Sequence, residues 1–228
     1  MNTPTSENLA RYIDHTLLKP DATAQQIEKL CAEAREHGFF SVCVNGSRVE
    51  LTRHLLADTG VKVAAVAGFP LGAMSADAKR YEVEAAIDDG AQEIDVVLNI
   101  GRLKDGDDQY VLRELRDVVE AADERTVKVI IETYLLTEEE KHRACHLILD
   151  SGAHFVKTST GLSAGGATIE DVKLLRQVVG PKFGVKASGG IRDTAMALAM
   201  IEAGAIRLGT SASVAIVNGT VGTNQGSY

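Results

Sequence analysis

The chain is poor in cysteine, with Cys31, Cys43 and Cys145 alone among 228 residues and no CxxC pair. A disulfide framework or a thiolate zinc site is therefore not expected. It has no apolar run of about 18 residues, the length that spans a bilayer. The opening MNTPTSENLARY lacks the charged-then-apolar pattern of a secretory leader. Neither a membrane partner nor secretion is expected, which leaves the cytoplasm as the expected compartment. Cations are also in deficit, with 24 Lys and Arg against 32 Asp and Glu for a net charge of −8. Sequence-independent nucleic-acid binding needs the opposite balance and is excluded as a reading. Walker A, HExxH and GxSxG motifs are missing, as is a GxGxxG after the first strand candidate.

Hydrophobic residues at 45% and charged residues at 25% are ordinary for a soluble globular domain. A phrase recurs along the chain: an amphipathic stretch, a glycine, then a short apolar run. It reads EHGFFSVCV, DTGVKVAAV, DDGAQEIDVV, DSGAHFVKT, VGPKFGVKA and EAGAIRLGT, with glycines at Gly38, Gly60, Gly90, Gly152, Gly180 and Gly204. ADERTVKVIIE adds one unit without a glycine, and YIDHTLL one more strand. Runs such as VKVAAVA and VKVIIE read as strands apolar on both faces, the mark of a parallel sheet covered by helices. Eight such units predict an α/β fold, a single (β/α)8 TIM barrel, with a doubly wound open sheet as the alternative. We read one barrel domain over 1–217 and a flexible tail over 218–228.

Barrels of this class carry their chemistry at the C-terminal strand ends. That rule selects Asp14, Cys43, Asn45, Gly68, Asp95, Asn99, Glu132, Lys157, Lys186 and Gly209. Lys157 (HFVKTSTG) and Lys186 (FGVKASGG) stand at equivalent places on neighbouring strands. Ammonium groups about 6 Å apart at an effective dielectric near 20 repel by about 3 kcal/mol, or about two pKa units. Such crowding leaves one amine neutral and nucleophilic toward a carbonyl. Asp95 sits in an apolar strand, where an unpaired carboxylate is costly, so it must find a cation. The Gly- and Ser-rich loops KASGGIR, IRLGTS and TSTGLSAGG suit a small anion bound by backbone N–H groups. Residues 151–228 hold seven Lys and Arg against four Asp and Glu, in keeping with that anion. His142 and His146 have metal-compatible spacing, but Glu138–Lys141 and Arg143 mark an outer solvated face, and no metal is expected there. Cys43 has no assigned histidine base and reads as a small apolar filler.

The motifs IDHTLL, VCVN, GFPLG, EIDVVLN, KVIIET, HFVKTSTG, GVKASGGIR and RLGTSA occur in this order over nearly the whole chain. With them the sequence resembles the deoxyribose-phosphate aldolase family, class I aldolases that form a Schiff base. The resemblance implies reversible cleavage of 2-deoxy-D-ribose 5-phosphate to acetaldehyde and D-glyceraldehyde 3-phosphate, with no metal or other cofactor. It implies Lys157 as the Schiff-base lysine, with Asp95 and Lys186 as the proton donor and acceptor pair. Asp14, Gly161, Gly189, Gly190, Arg192, Gly209 and Ser211 are the expected substrate- and phosphate-binding residues. The expected partners are small aldehydes and sugar phosphates, together with other copies of the chain in a homo-oligomer, a dimer by default. Leu162 departs from the pattern, standing where some family members carry a lysine that meets the phosphate. Tyr228 is expected to fold over the barrel mouth and relay a proton. The competing readings are a non-catalytic sugar-phosphate-binding barrel and a metal-dependent aldolase or phosphosugar isomerase.

Overall fold

The computed structural model describes residues 6–222. Strands β1 (Ile13–Leu17), β2 (Ser41–Val44), β3 (Lys62–Ala67), β4 (Glu93–Val97), β5 (Thr126–Ile130), β6 (Phe155–Lys157), β7 (Gly184–Ser188) and β8 (Arg207–Thr210) pair in parallel. They run in sequence order, and β8 closes onto β1. Helices α1 (Ala24–His37), α2 (Val49–Leu55), α3 (Ala76–Asp88), α4 (Ile100–Lys104), α5 (Asp108–Ala121), α6 (Glu138–Ser151), α7 (Ile169–Val179), α8 (Thr194–Glu202) and α9 (Ser213–Val217) lie between and after the strands. This is the expected (β/α)8 barrel rather than an open sheet. Several helices begin on a side-chain cap. Thr23 and Thr137 form capping boxes with Gln26 and Glu140, satisfying N–H groups that the first turn leaves open.

Strand alternation separates two environments. Val42, Val44, Val63, Ala65, Ala67, Ile94, Val96, Val127, Val129, Val185 and Leu208 join the large apolar layer between sheet and helices. Burying each such Val, Ile or Leu contributes about 1.5–3 kcal/mol, so this layer supplies the main drive for closure. The inward positions are different: Asp14, Glu93, Asp95, Lys128, Lys157, Lys186 and Arg207 are all buried. The expectation of two apolar faces therefore fails for β5, where Lys128 points the other way from Val127 and Val129. A small apolar wall of Leu18, Cys43, Ala64 and Val66 completes the interior, with Phe69 packed against it.

A second buried charge pair lies outside the barrel. Lys79 of α3 reaches Glu114 of α5 at 2.6 Å and also donates to the carbonyls of Val97 (2.9 Å) and Gly72 (3.2 Å). It thereby ties the loop after β3 to the end of the strand that carries Asp95. Among the described residues, no helix is long and apolar enough to cross a membrane.

Candidate active site

Lys157 and Lys186 are register partners on β6 and β7. Their Nζ atoms both donate to Asp95 Oδ2, each at 2.7 Å. The two nitrogens are thus no farther apart than those two bonds laid end to end. Asp95 Oδ1 accepts from Lys128 Nζ at 2.9 Å, and Lys128 also pairs with Glu93 Oε2 at 2.6 Å. Lys186 donates in addition to Asp14 Oδ2. Arg207 Nη1 donates to Asp14 Oδ1 at 2.9 Å and to Glu93 Oε2 at 3.1 Å.

Charge counting identifies the odd member. Within this buried group Lys128, Lys157, Lys186 and Arg207 face Asp14, Glu93 and Asp95, one cation too many. Lys128, Lys186 and Arg207 each touch two carboxylates, whereas among the described residues Lys157 touches Asp95 alone. Losing the Lys157 proton balances the group, and an uncompensated buried charge is the most expensive state available to it.

The ionisation shifts agree. Burial pushes the Lys157 amine below its ordinary value; Asp95 opposes this, and the nearby Lys186 cation adds to it. Burial acts on Lys186 in the same sense, but Asp14 and Asp95 outweigh it and hold that lysine above its ordinary value. For Asp95 burial alone favours the acid, yet Lys128, Lys157 and Lys186 keep it well below the carboxylate range. Strand spacing alone points to crowding between the two ammonium groups as the cause of a depressed amine. The structure ranks burial first and that repulsion behind it, because the closed ring of strands shuts water out. Cys43 lies within reach of the same charges, but burial pushes its thiol up to about 11, so it stays protonated and apolar.

The glycine-rich loops after β6, β7 and β8 enclose a cleft lined by Gly161, Gly189, Gly190, Arg192, Thr210 and Ser211. Its walls need close backbone approach: a Cβ on Gly166 would fall 2.5 Å from the Gly189 carbonyl oxygen. Two of the expected binding residues lie elsewhere. Asp14 belongs to the charged group described above. Gly209 is not in that lining and faces Lys186, where an added Cβ would come within 3.1 Å of the lysine Cε. Leu162 is 37% exposed, with its N–H donating to Thr160 Oγ1 at 3.1 Å. The segment after α9 is tied back as far as Gly222, whose N–H donates to the Arg192 carbonyl at 2.9 Å. Tyr228 lies outside the described residues.

Sequence reasoning missed Lys128, Glu93 and Arg207. Alternation in TVKVI could have found the first, since a lysine flanked by two outward valines must point inward. Glu93 and Arg207 open their strands, where a charged residue reads equally well as solvated.

Residues 9–221 match the model of the DeoC/LacD family aldolases. A deoxyribose-phosphate aldolase of Alkaliphilus oremlandii is 62% identical over 92% of this chain and 96% of its own length. One from Bdellovibrio bacteriovorus is 59% identical over 96% and 99%. The solved structure of a deoxyribose phosphate aldolase from Aeropyrum pernix, described as a unique tetramer, superposes with a TM-score of 0.88. It is 34% identical, covering 94% of this chain and 91% of that one. The barrel, its buried lysines and these matches together mean that the chain belongs to the DeoC/LacD aldolase family.

Proposed function

We infer that this enzyme reversibly cleaves 2-deoxy-D-ribose 5-phosphate to acetaldehyde and D-glyceraldehyde 3-phosphate through an imine on Lys157. The observation that carries the reading is the sharing of Asp95 Oδ2 by two buried lysines, of which only Lys186 has a second carboxylate. Lys157, neutral for that reason, attacks C1 of the open-chain aldehyde; the carbinolamine hydroxyl takes up one proton from solvent and leaves as water, which gives a protonated imine. Acetaldehyde takes carbons 1 and 2, so the bond that breaks is C2–C3. The C3 hydroxyl gives up its proton, C3 becomes the aldehyde of the departing phosphate, and the C2–C3 electron pair enters the imine to give a neutral enamine.

Asp95 takes the proton in this step, with the protonated Lys186 holding its Oδ2 in place. The imine cation next to Asp95 disappears as the proton arrives, so the net charge of the site is unchanged and Asp95 loses one of the cations that keep it acidic. The same proton then returns to C2, and water releases acetaldehyde from Lys157. The apolar wall of Cys43, Ala64 and Val66 suits the two-carbon fragment. The cleft lined by Gly161, Gly189, Gly190, Arg192 and Ser211 takes the 5-phosphate, whose binding orients the reacting carbons. The enzyme acts in the cytoplasm as a homo-oligomer, in keeping with the tetrameric structure of the Aeropyrum pernix relative.

Incubation with acetaldehyde and borohydride tests the imine. Peptide mapping is expected to find a two-carbon adduct on Lys157 and unmodified Lys128 and Lys186. A protein that only binds sugar phosphates gives no adduct, and modification of Lys186 instead reverses the assignment.

A further inference from the structure

Glu132 follows β5 and is 2% exposed, yet its backbone is left-handed, at φ 52° and ψ 67°. That conformation is unfavourable for a side chain with a Cβ, and such outliers persist where the surroundings impose them. Its carboxylate is anchored on one side only. Oε2 accepts from the Thr160 N–H at 3.2 Å and from the Thr160 hydroxyl at 2.5 Å, whereas Oε1 is buried without a partner among the described residues. Thr160 Oγ1 in turn accepts from the Leu162 N–H at 3.1 Å. The N–H groups of residues 160 and 162 are thus spent inside the turn. The N–H of Gly161, between them, has no protein acceptor among the described residues, and Gly161 lines the glycine cleft. The rest of the segment is pinned as well: Thr133 N–H donates to the Thr158 carbonyl at 2.9 Å and Ser188 Oγ to the Ser159 carbonyl at 2.6 Å. The stretch from Lys157 to Gly161 therefore has its geometry set from β5 on one side and β7 on the other.

We propose that Glu132 is a positioning residue for phosphate recognition: by holding Thr160 it sets the 160–162 turn so that the Gly161 N–H is the amide left for the substrate phosphate. The proposal rests on the reading of the cleft as the phosphate site. It makes Glu132 responsible for the preference for phosphorylated over free sugar and not for the chemistry at Lys157.

The test compares 2-deoxyribose 5-phosphate with 2-deoxyribose in the wild type, Glu132→Gln and Glu132→Gly. Glycine accepts the left-handed backbone but removes the acceptor; glutamine keeps an oxygen for the Thr160 N–H. In Glu132→Gly the ratio of kcat/KM for the phosphorylated over the free sugar is expected to fall by about tenfold or more, the scale of one hydrogen bond to a charged group. The loss falls mainly in KM, and the acetaldehyde adduct still forms on Lys157. Glu132→Gln is expected to retain most of the preference. Thr160→Val, which cuts the link between Glu132 and the Leu162 N–H, is expected to shift the ratio in the same direction and decides the matter if Glu132→Gly does not fold. An unchanged ratio in these variants, or an equal loss on both sugars, overturns the proposal. A wild type without preference for the phosphorylated sugar overturns instead the phosphate reading beneath it.

Discussion

Lys157→Ala lowers turnover by roughly four orders of magnitude or more, the scale at which removal of a covalent nucleophile leaves only binding and positioning. The adduct with acetaldehyde and borohydride vanishes with it. Lys186, although only the combined length of two hydrogen bonds away, cannot substitute, because Asp14 and Asp95 together hold it protonated. The variant is expected to fold, since Lys157 brings the surplus cation to the buried group and its loss leaves Lys128, Lys186 and Arg207 facing three carboxylates. Circular dichroism and a thermal melt check the fold; steady-state kinetics and the trapped adduct check the chemistry. Residual turnover within tenfold of the wild type contradicts the role given to Lys157.

Asp95→Asn separates imine formation from proton transfer. Lys128 keeps Glu93 and Lys186 keeps Asp14, so the loss of Asp95 leaves Lys157 as the lysine without a carboxylate. Asp95 is the group that opposes the effect of burial on Lys157. Removing its charge therefore lowers the Lys157 pKa further, and the acid limb of the trapping rate moves to lower pH. The adduct still forms. Turnover and the exchange of acetaldehyde methyl protons with solvent fall together by about 10²–10⁴-fold, the contribution of a positioned general acid–base group. Mass spectrometry of acetaldehyde in deuterated water measures the exchange. Equal loss of adduct and exchange would reduce Asp95 to organising the lysines.

Much of this architecture is legible in the sequence because local and long-range demands agree. Each βα unit has one apolar strand and one amphipathic helix, and Thr23 and Thr137 mark helix starts with side chains whose bonding is local. Charged residues in otherwise apolar strands then suffice to flag Asp95, Lys157 and Lys186 without knowledge of their partners, although only Lys157 stands at a strand end and Asp95 and Lys186 lie mid-strand in β4 and β7. The network around them is not legible, because its partners come from strands far apart in sequence. Asp14 meets Arg207 and Lys186 only when β8 closes onto β1. His15, beside Asp14 in the same motif, faces the helices instead, bonding Glu33 at 2.9 Å and Ser213 at 2.8 Å. Nor does the sequence announce which effect dominates at Lys157: spacing suggests repulsion between like charges, whereas burial is a property of the closed ring. Glu132 appears in the sequence as one more strand-end acid. Its left-handed backbone and its hold on Thr160 depend on the turn after β6 packing beside it.

Imine formation depends on the protonation state of one amine, and a titration of the lysine side chains by NMR, with Lys157 assigned by its loss in Lys157→Ala, measures it directly. The expected result is that Lys157 gives up its proton below the ordinary lysine value of 10.5, ahead of Lys186, which stays protonated. A Lys157 that titrates at or above that value, or a Lys186 that ionises first, contradicts it.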